Sequence, residues 1–435
     1  MKYQKICIIG DGLAGLTTAL ALKDLNLQID LFHKKTNKLS TKDMRTTAVS
    51  ENNFEFISAI TKTKKNFLFW PCKKINLFYE YKKNNFNFLN YKEEKDNLMY
   101  ICQNAKLKNI LITKLKKIKR VKLINKEIKK IDYEKNNVKL KKNNNNYYDL
   151  IILCLGGHSH LYNEIINNRS IKKNYKEIIK KKIKIIQKNI TKLHDLDSYD
   201  LKVLCLGRES KIYQNIIRSR SINKDYEEIA LTGYVRHNLK DISTSQFFLK
   251  EGPLAILPFK KSCFSVVWSL DRDFYLHNIN NIKPLLTEKL RHIFKNNKKI
   301  RISNISSFPI HLNLCNKYHK KNTLILGEGI HAIHPVAGQG FNLILRDIKK
   351  LKELIQKNIK LGLGIKNSNI LKEFYDSRNP ENTITGIGID LINTFFKKNK
   401  YVDPAKIFIL RNLEKFGAIK KISKYVSNKG IFQNY

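Results

Sequence analysis

The chain has 435 residues, 42% of them hydrophobic, with 83 Lys and Arg against 37 Asp and Glu for a formal net charge of +46. That length exceeds the usual single core and points to two intimately joined domains, with ample apolar content to fill them. No apolar run approaches the ~20 residues that cross a bilayer, and the charge is spread among Asn and Ile, as in Lys141-Lys142-Asn143-Asn144-Asn145-Asn146, instead of forming the single patch a nucleic-acid binder needs.

The first element is the apolar run Ile6-Cys7-Ile8-Ile9, followed by Gly10-Asp11-Gly12-Leu13-Ala14-Gly15 and the helical pattern from Leu16. Strand, G-x-G-x-x-G, helix is the context of a dinucleotide site. The first glycine makes the tight turn, the second admits a pyrophosphate, and the third lets helix and strand pack. The phosphates would sit on the N–H groups at the helix start, around Leu13 and Ala14. We expect a strand over 6–9, a helix over 13–25 and a second strand over 27–32, with His33 at its end. Segment 75–140 mixes apolar and Lys/Asn-rich pieces.

Two later segments are near copies. Residues 148–178 and 199–229, aligned at an offset of 51, share 18 identities in 31 positions. Two copies are too few for a solenoid and read as a tandem duplication of one strand–turn–helix unit. Residues 229–310 read as mainly β, with a strong strand from Cys263 to Leu270. Near the far end comes Leu324-Ile325-Leu326-Gly327-Glu328-Gly329-Ile330-His331-Ala332-Ile333-His334-Pro335-Val336-Ala337-Gly338-Gln339-Gly340-Phe341-Asn342. It is a strand, an acid, a small-residue loop and a Gly-Gln-Gly opening a helix over 338–357, an order that lets backbone approach a flat polar ring. Residues 368–425 read as helical, with Pro380 and Pro404 at helix starts. His331 and His334 have no Cys or carboxylate at ligand spacing beside them, so no metal is expected; His331 reads as structural and His334 carries no assignment. The seven cysteines form no C-x-x-C pair and read as small buried hydrophobes in a reducing compartment.

Together the two glycine segments resemble the flavin-dependent aromatic hydroxylases of the para-hydroxybenzoate hydroxylase type, and within them the ubiquinone-biosynthesis hydroxylases (the UbiH/UbiF/VisC family). Gly338, Gln339, Gly340 and Asn342 match that family's flavin block directly. Asp43-Met44-Arg45-Thr46-Thr47-Ala48-Val49-Ser50 resembles its D-x-R segment, and Gly252-Pro253-Leu254-Ala255-Ile256-Leu257-Pro258 and Ser265-Val266-Val267-Trp268 resemble its substrate strands.

The resemblance implies an FAD-binding Rossmann-like α/β domain, an interwoven mainly antiparallel β substrate domain and C-terminal helices. The expected division is 1–75 and 316–365 for FAD, 76–140 for a sheet segment, 141–228 for a return to the FAD domain, 229–315 for the substrate domain and 366–435 for the helices. The implied cofactor is FAD, with NAD(P)H or a ferredoxin-type donor as reductant. The implied reaction is hydroxylation of a polyprenylated phenol with O₂, through a flavin C4a-hydroperoxide. Cofactor-binding positions are Gly10, Gly12, Leu13, Ala14, Gly15, His33, Arg45, Gly207, Gly327, Glu328, Gly338, Gln339, Gly340, Phe341 and Asn342. Arg45, Pro335, Gly338, Gln339 and Gly340 are the positions placed closest to the chemistry. Phe247, Leu257, Trp268 and Phe308 are candidates for an apolar substrate wall, each equally readable as core.

Three expected acidic contacts are altered. His33 replaces Glu, Leu206 replaces Asp in the second repeat copy, and Glu328 replaces Asp with one more methylene. Each lost charge-assisted hydrogen bond costs ~1.5–3 kcal/mol, so weakened flavin affinity is expected. The second copy lies at family spacing from the Gly252 strand, so Gly207 is assigned the functional position and the first copy reads as an insertion. Two further readings stay open: a related hydroxylase of another aromatic or isoprenoid, and a flavin-poor paralogue serving as a partner in a biosynthetic complex. With the first strand starting within six residues of Met1, a cytoplasmic protein without a signal peptide is expected. Peripheral contact with an anionic inner membrane would draw ~1 kcal/mol from each nearby Lys or Arg.

Overall fold

The computed structural model describes residues 4–33, 43–63, 68–82, 84–125, 128–132, 137–140, 145–147, 150–155, 202–206, 221–295, 299–320, 322–366, 369–397, 403–413 and 417–431. The chain opens with β1 (Gln4–Ile9), α1 (Leu13–Ala21), β2 (Leu27–His33), β3 (Thr46–Ser50) and α2 (Glu51–Thr61). Next come β4 (Trp70–Cys72), β5 (Lys74–Tyr81), β6 (Asn84–Lys92), β7 (Met99–Gln103), α3 (Asn104–Leu115) and β8 (Val121–Asn125). Three short strands, β9 (Ile128–Asp132), β10 (Asn137–Leu140) and β11 (Asn145–Tyr147), form their own antiparallel sheet.

β12 (Leu150–Leu155) and β13 (Lys202–Leu206) follow, then the long antiparallel run of β14 (Ile222–Arg236), β15 (Thr244–Leu249), β16 (Gly252–Lys260) and β17 (Cys263–Asp271). After α4 (Arg272–His277) and α5 (Ile282–Ile293) come β18 (Arg301–Leu314), β19 (His319–Lys320), β20 (Thr323–Ile325) and β21 (His331–Ala332). The end is helical: α6 (Gly340–Lys360), α7 (Ile370–Phe396), α8 (Asp403–Asn412) and α9 (Gly417–Lys429).

Two sheets carry the molecule. The first has the order β19-β20-β12-β13-β1-β2-β8, and its pairings are parallel except at β19. Residues 6–9 and 29–32 are buried. Leu16, Ala19 and Leu20 of α1 and Leu107, Leu111 and Leu115 of α3 pack there at helical spacing, joined by Leu345, Ile348, Leu351 and Ile355 of α6. The second sheet has the order β21-β18-β14-β17-β16-β15-β5-β6. Its far face is closed by Leu286 and Leu290 of α5 over Leu231, Trp268 and Leu254. A small third sheet, β3-β7-β4, joins the two.

The duplication leaves a direct mark on the first sheet. β12 and β13 both pair with β1 and both pair with β20, and the registers are equivalent. Ile151 and Lys202 each oppose Thr323, Ile152 and Val203 each oppose Leu324, and Leu153 and Leu204 each oppose Ile325. The two copies thus take equivalent registers against β20, because their sequences are nearly the same.

Two expected helix boundaries move. The helix expected over 13–25 ends at Ala21, where bonds from Lys23 N to Leu20 O and from Leu25 N to Leu22 O tighten the chain into a turn. Pro380 does not start a helix; it lies inside α7. A buried polar network on both sides of it, described below, holds the helix through the proline. Pro404 does stand in the first turn of α8.

Candidate flavin site

The glycine turn and the distant acid meet because β1 and β20 run parallel in one sheet, so their C-terminal ends open on the same crevice. That is where ligands lie in open α/β sheets. Gly10 has φ +119°, a conformation glycine adopts without strain, and its N–H donates to Phe32 O at 3.0 Å, which tightens the turn. Gly12 precedes α1 and gives it no side-chain cap; a Cβ there would meet nothing within 4 Å. The helix start is thus uncapped and open at Gly12. Asp11 is turned aside by Lys108 of α3, at 3.0 Å. At the end of β20, Gly327 has φ +94° and Glu328 is exposed. His33 ends β2 opposite Asn125. Its side chain, and the whole of Gly207, lie outside the described residues.

The Gly-Gln-Gly loop is built between β21 and α6. Pro335–Ala337 forms one 3-10 turn, and the His334 ring caps it by accepting from Val336 N at 3.0 Å. Gly338 then takes φ +62° and is exposed, Gln339 is half-buried, and Gly340 opens α6. Phe341 turns back against the helices covering the first sheet. Asn342 is buried, and protein groups fill its amide. Its Nδ2 donates to Ala48 O (3.0 Å) and Gly338 O (3.3 Å), while its Oδ1 accepts from Ser50 N (3.0 Å) and Asn53 Nδ2 (2.9 Å). The Asn342 side chain therefore fastens the loop to β3. Arg45 precedes β3. It is exposed, forks onto Asp43 through Nε (2.9 Å) and Nη2 (2.8 Å), and is raised above its ordinary value by that bond, against burial, with Glu328 contributing. The chain thus brings Arg45, Glu328 and the Gly338 loop into one neighbourhood.

Strand register sorts the four wall candidates. Phe78, Phe247, Leu254, Trp268 and Leu231 stand opposite one another across five strands, so they share a face. That face is the core beneath α5, where Trp268 and Phe247 are buried. Leu257 opposes Ser265 and through it Tyr234, while Phe308 opposes Ala230; these belong to the other face. There Tyr234 OH donates to Arg45 O at 3.4 Å and the Pro335 turn packs on β16. Leu257 and Phe308 therefore remain wall candidates, joined by Thr232, Val267 and Ala255 on the same face.

Two buried ionic groups behind the loop escaped sequence reasoning. His331 Nε2 meets Asp347 Oδ2 at 2.6 Å. Asp347 Oδ1 also accepts from Arg378 Nε at 2.7 Å and Asn382 Nδ2 at 3.1 Å, and Arg378 pairs with Glu381, which accepts from Arg346 Nη1 at 3.2 Å. Burial alone would raise the Asp347 carboxyl; Arg378 and His331 overcome it and hold the group below the usual range. Three residues on, His334 Nε2 meets Glu228 Oε2 at 2.8 Å. Glu228 is likewise pulled below the usual range against its burial, by His334 and Lys397. One signal was available: Arg346-Asp347 interrupts the apolar face of α6, and a charged pair there has to be neutralised inside.

Comparison with known proteins agrees with the motifs. A family model described as squalene epoxidase matches residues 269–413. Over 210 residues the chain is 25% identical to the mitochondrial ubiquinone biosynthesis monooxygenase COQ6 of Dictyostelium discoideum, covering 41% of this chain and 42% of that one. It is 30% identical over 186 residues to the 3-demethoxyubiquinol 3-hydroxylase of Escherichia coli, covering 41% and 46%. The match thus spans about half the length of these relatives. Among solved structures, p-nitrophenol 4-monooxygenase PnpA of Pseudomonas putida superposes with a TM-score of 0.65 at 12% identity, covering 98% of both chains. HpxO of Klebsiella pneumoniae, complexed with FAD and uric acid, gives 0.64 at 12%, covering 98% of this chain and 97% of that one. The chain resembles the ubiquinone-biosynthesis hydroxylases and has the fold of FAD-dependent monooxygenases. Its residues fit FAD: an uncapped helix start beside an open glycine for a pyrophosphate, an exposed carboxylate at the neighbouring strand end, and a glycine loop held from behind.

Proposed function

We propose that the chain is an FAD-dependent monooxygenase that hydroxylates the ring of a polyprenylated phenol in ubiquinone biosynthesis, with NAD(P)H or a ferredoxin-type donor as reductant. The observation that carries this reading is the meeting, in one crevice facing the second sheet, of three segments far apart in sequence: Gly10–Gly15, Arg45 and Gly327–Gly340. Bound FAD would supply the activation of O₂. The protein's share is binding, orientation and exclusion of water. The N–H groups opening α1 would hold the pyrophosphate, and Glu328 would accept from the ribityl hydroxyls. The N–H groups of Gly338–Gly340 would oppose negative charge on the ring system. Arg45 would orient flavin or reductant, and Leu257, Phe308, Val267 and Ala255 would offer an apolar wall for the substrate ring. No described residue has to act as an acid or base.

Peripheral membrane contact is part of the proposal. Ile384, Ile387 and Leu391 of α7 are exposed at i, i+3 and i+7, which makes one apolar stripe on a strongly basic chain. Among the described residues no helix is long and apolar enough to cross a membrane. A sedimentation assay with anionic liposomes at low salt checks this; absence of binding removes it.

Three measurements test the main reading. Purified protein should show the flavin absorbance bands, and Glu328→Ala should lose FAD on gel filtration where wild type keeps it. A deletion strain should then accumulate an under-hydroxylated prenylphenol, whose structure names the carbon. Colourless protein that does not take up added FAD, or an unchanged lipid profile, would overturn the assignment.

A further inference from the structure

His334 has no part in the family motif read above, and Glu228 lies over 100 residues away in the substrate sheet. Yet both are buried, and each is shaped to meet the other. β14 breaks its pairing with β18 between Asp225 and Glu228, and Glu227 in the break takes φ +55°, a left-handed conformation that non-glycine residues rarely adopt. On either side of Glu227, Tyr226 and Glu228 are both buried and face the loop side. The Tyr226 ring meets the His334 ring edge-on, with centroids 5.1 Å apart at 86°. Because His334 Nδ1 accepts from Val336 N, its neutral ring carries the proton on Nε2, where it is donated to Glu228. Glu228 Oε1 accepts from Lys397 Nζ at 2.8 Å and Asn393 Nδ2 at 3.5 Å, both from the end of α7. One imidazole thus caps the turn that begins at Pro335 and ties that turn to the substrate sheet.

We propose that Glu228 and His334 are positioning residues that fix the Pro335–Gly340 loop against the substrate sheet, and so set the geometry of the N–H groups that receive the flavin ring. The tether is a buried side-chain hydrogen bond from the loop to β14, made by a residue that also shapes the loop. Displacing the ring by about 1 Å would misdirect those donors, and such displacements are costly in sites of this kind. This proposal rests on the flavin reading and deepens it.

The two functions of His334 can be separated. His334→Asn keeps a side-chain acceptor for Val336 N, since Asn is a good cap, but is too short to reach Glu228. Glu228→Gln keeps an acceptor for Nε2–H and loses the charge. Four proteins are compared: wild type, each single variant and the double variant. FAD dissociation constants come from fluorescence titration, the flavin midpoint potential from dye-coupled reduction, and thermal midpoints from the apoproteins. His334→Asn should weaken FAD binding about tenfold and shift the potential, Glu228→Gln should do so by a smaller factor, and the double variant should be little worse than His334→Asn, the mark of coupled residues. Independent, multiplying effects would overturn the proposal. So would a His334→Asn protein with wild-type FAD affinity and potential, or variants whose only change is a lower apoprotein midpoint. If wild type itself binds no FAD, the flavin reading has failed first, and that result is distinct from the others.

Discussion

His331 and His334 sit three residues apart on one loop, both buried and both bonded to a buried carboxylate through Nε2. Their surroundings differ. His331 belongs to a closed network of two carboxylates and two arginines within the helical layer, where Arg346 also donates to Ser427 O of α9 at 3.0 Å. His334 belongs to a small cluster that reaches β14 and opens to solvent through Lys397, whose side chain is 53% exposed. The loop is therefore held on both sides by unlike means. One side is locked to α6, α7 and the C-terminal helix by several charges whose removal would leave others stranded. The other is tied to the substrate sheet by the His334–Glu228 bond and the short pairing of β21 with β18.

That contrast can be broken most severely at Asp347. Asp347→Asn leaves Arg378 and His331 without their shared charge in a site that water does not reach, and should lower unfolding free energy by about 3–5 kcal/mol in urea titration. A loss below ~1 kcal/mol would show that the network is not closed. The next effect is acid sensitivity. Asp347 and Glu228 both have folded values below the ordinary carboxylate range. Each contributes stability that is present above its unfolded value, near pH ~4, and is lost as pH falls through the lower folded one. Stability should drop steeply below about pH 4, and Asp347→Asn should flatten that limb more than Glu228→Gln. Equal flattening would erase the difference between the clusters. Smaller still is Lys397→Met, which removes a half-exposed partner and should cost less than about 1 kcal/mol.

The sequence made legible whatever has a local cause. A strand, Gly10 to Gly15 and a helix announce a nucleotide turn because each glycine answers a steric need at a fixed spacing. The Gly338–Gly340 loop is legible for the same reason. Contacts that join distant segments were hidden. The four side-chain bonds of Asn342 go to residues of β3, α2 and its own loop, and only the folded chain puts Ala48 and Ser50 there. Glu228 carries no local signal of its partner; His334 reaches it only in the folded chain. Trp268 and Phe247 fell to the far face because register, which alternates residue by residue, decides which aromatic meets the site.

The mildest prediction concerns the duplication, and it bears on which copy supplies the carboxylate of the His334 cluster. The first copy carries Tyr175 and Glu177 where the second carries Tyr226 and Glu228. Those first-copy residues lie outside the described ones, whereas Tyr226 and Glu228 stand in β14 against His334. Because β12 and β13 take equivalent registers between β1 and β20, removing one strand leaves the other to fill the position. Deleting residues 149–199 splices Tyr148 onto Asp200 and restores a Tyr-Asp-Leu entry to the strand. The shortened chain should remain folded, retain FAD as wild type does, and keep the acid limb that Glu228 contributes, as read by gel filtration and pH-dependent unfolding. Aggregation or loss of flavin on deletion would mean that both copies are needed in the sheet, and that the first is no insertion.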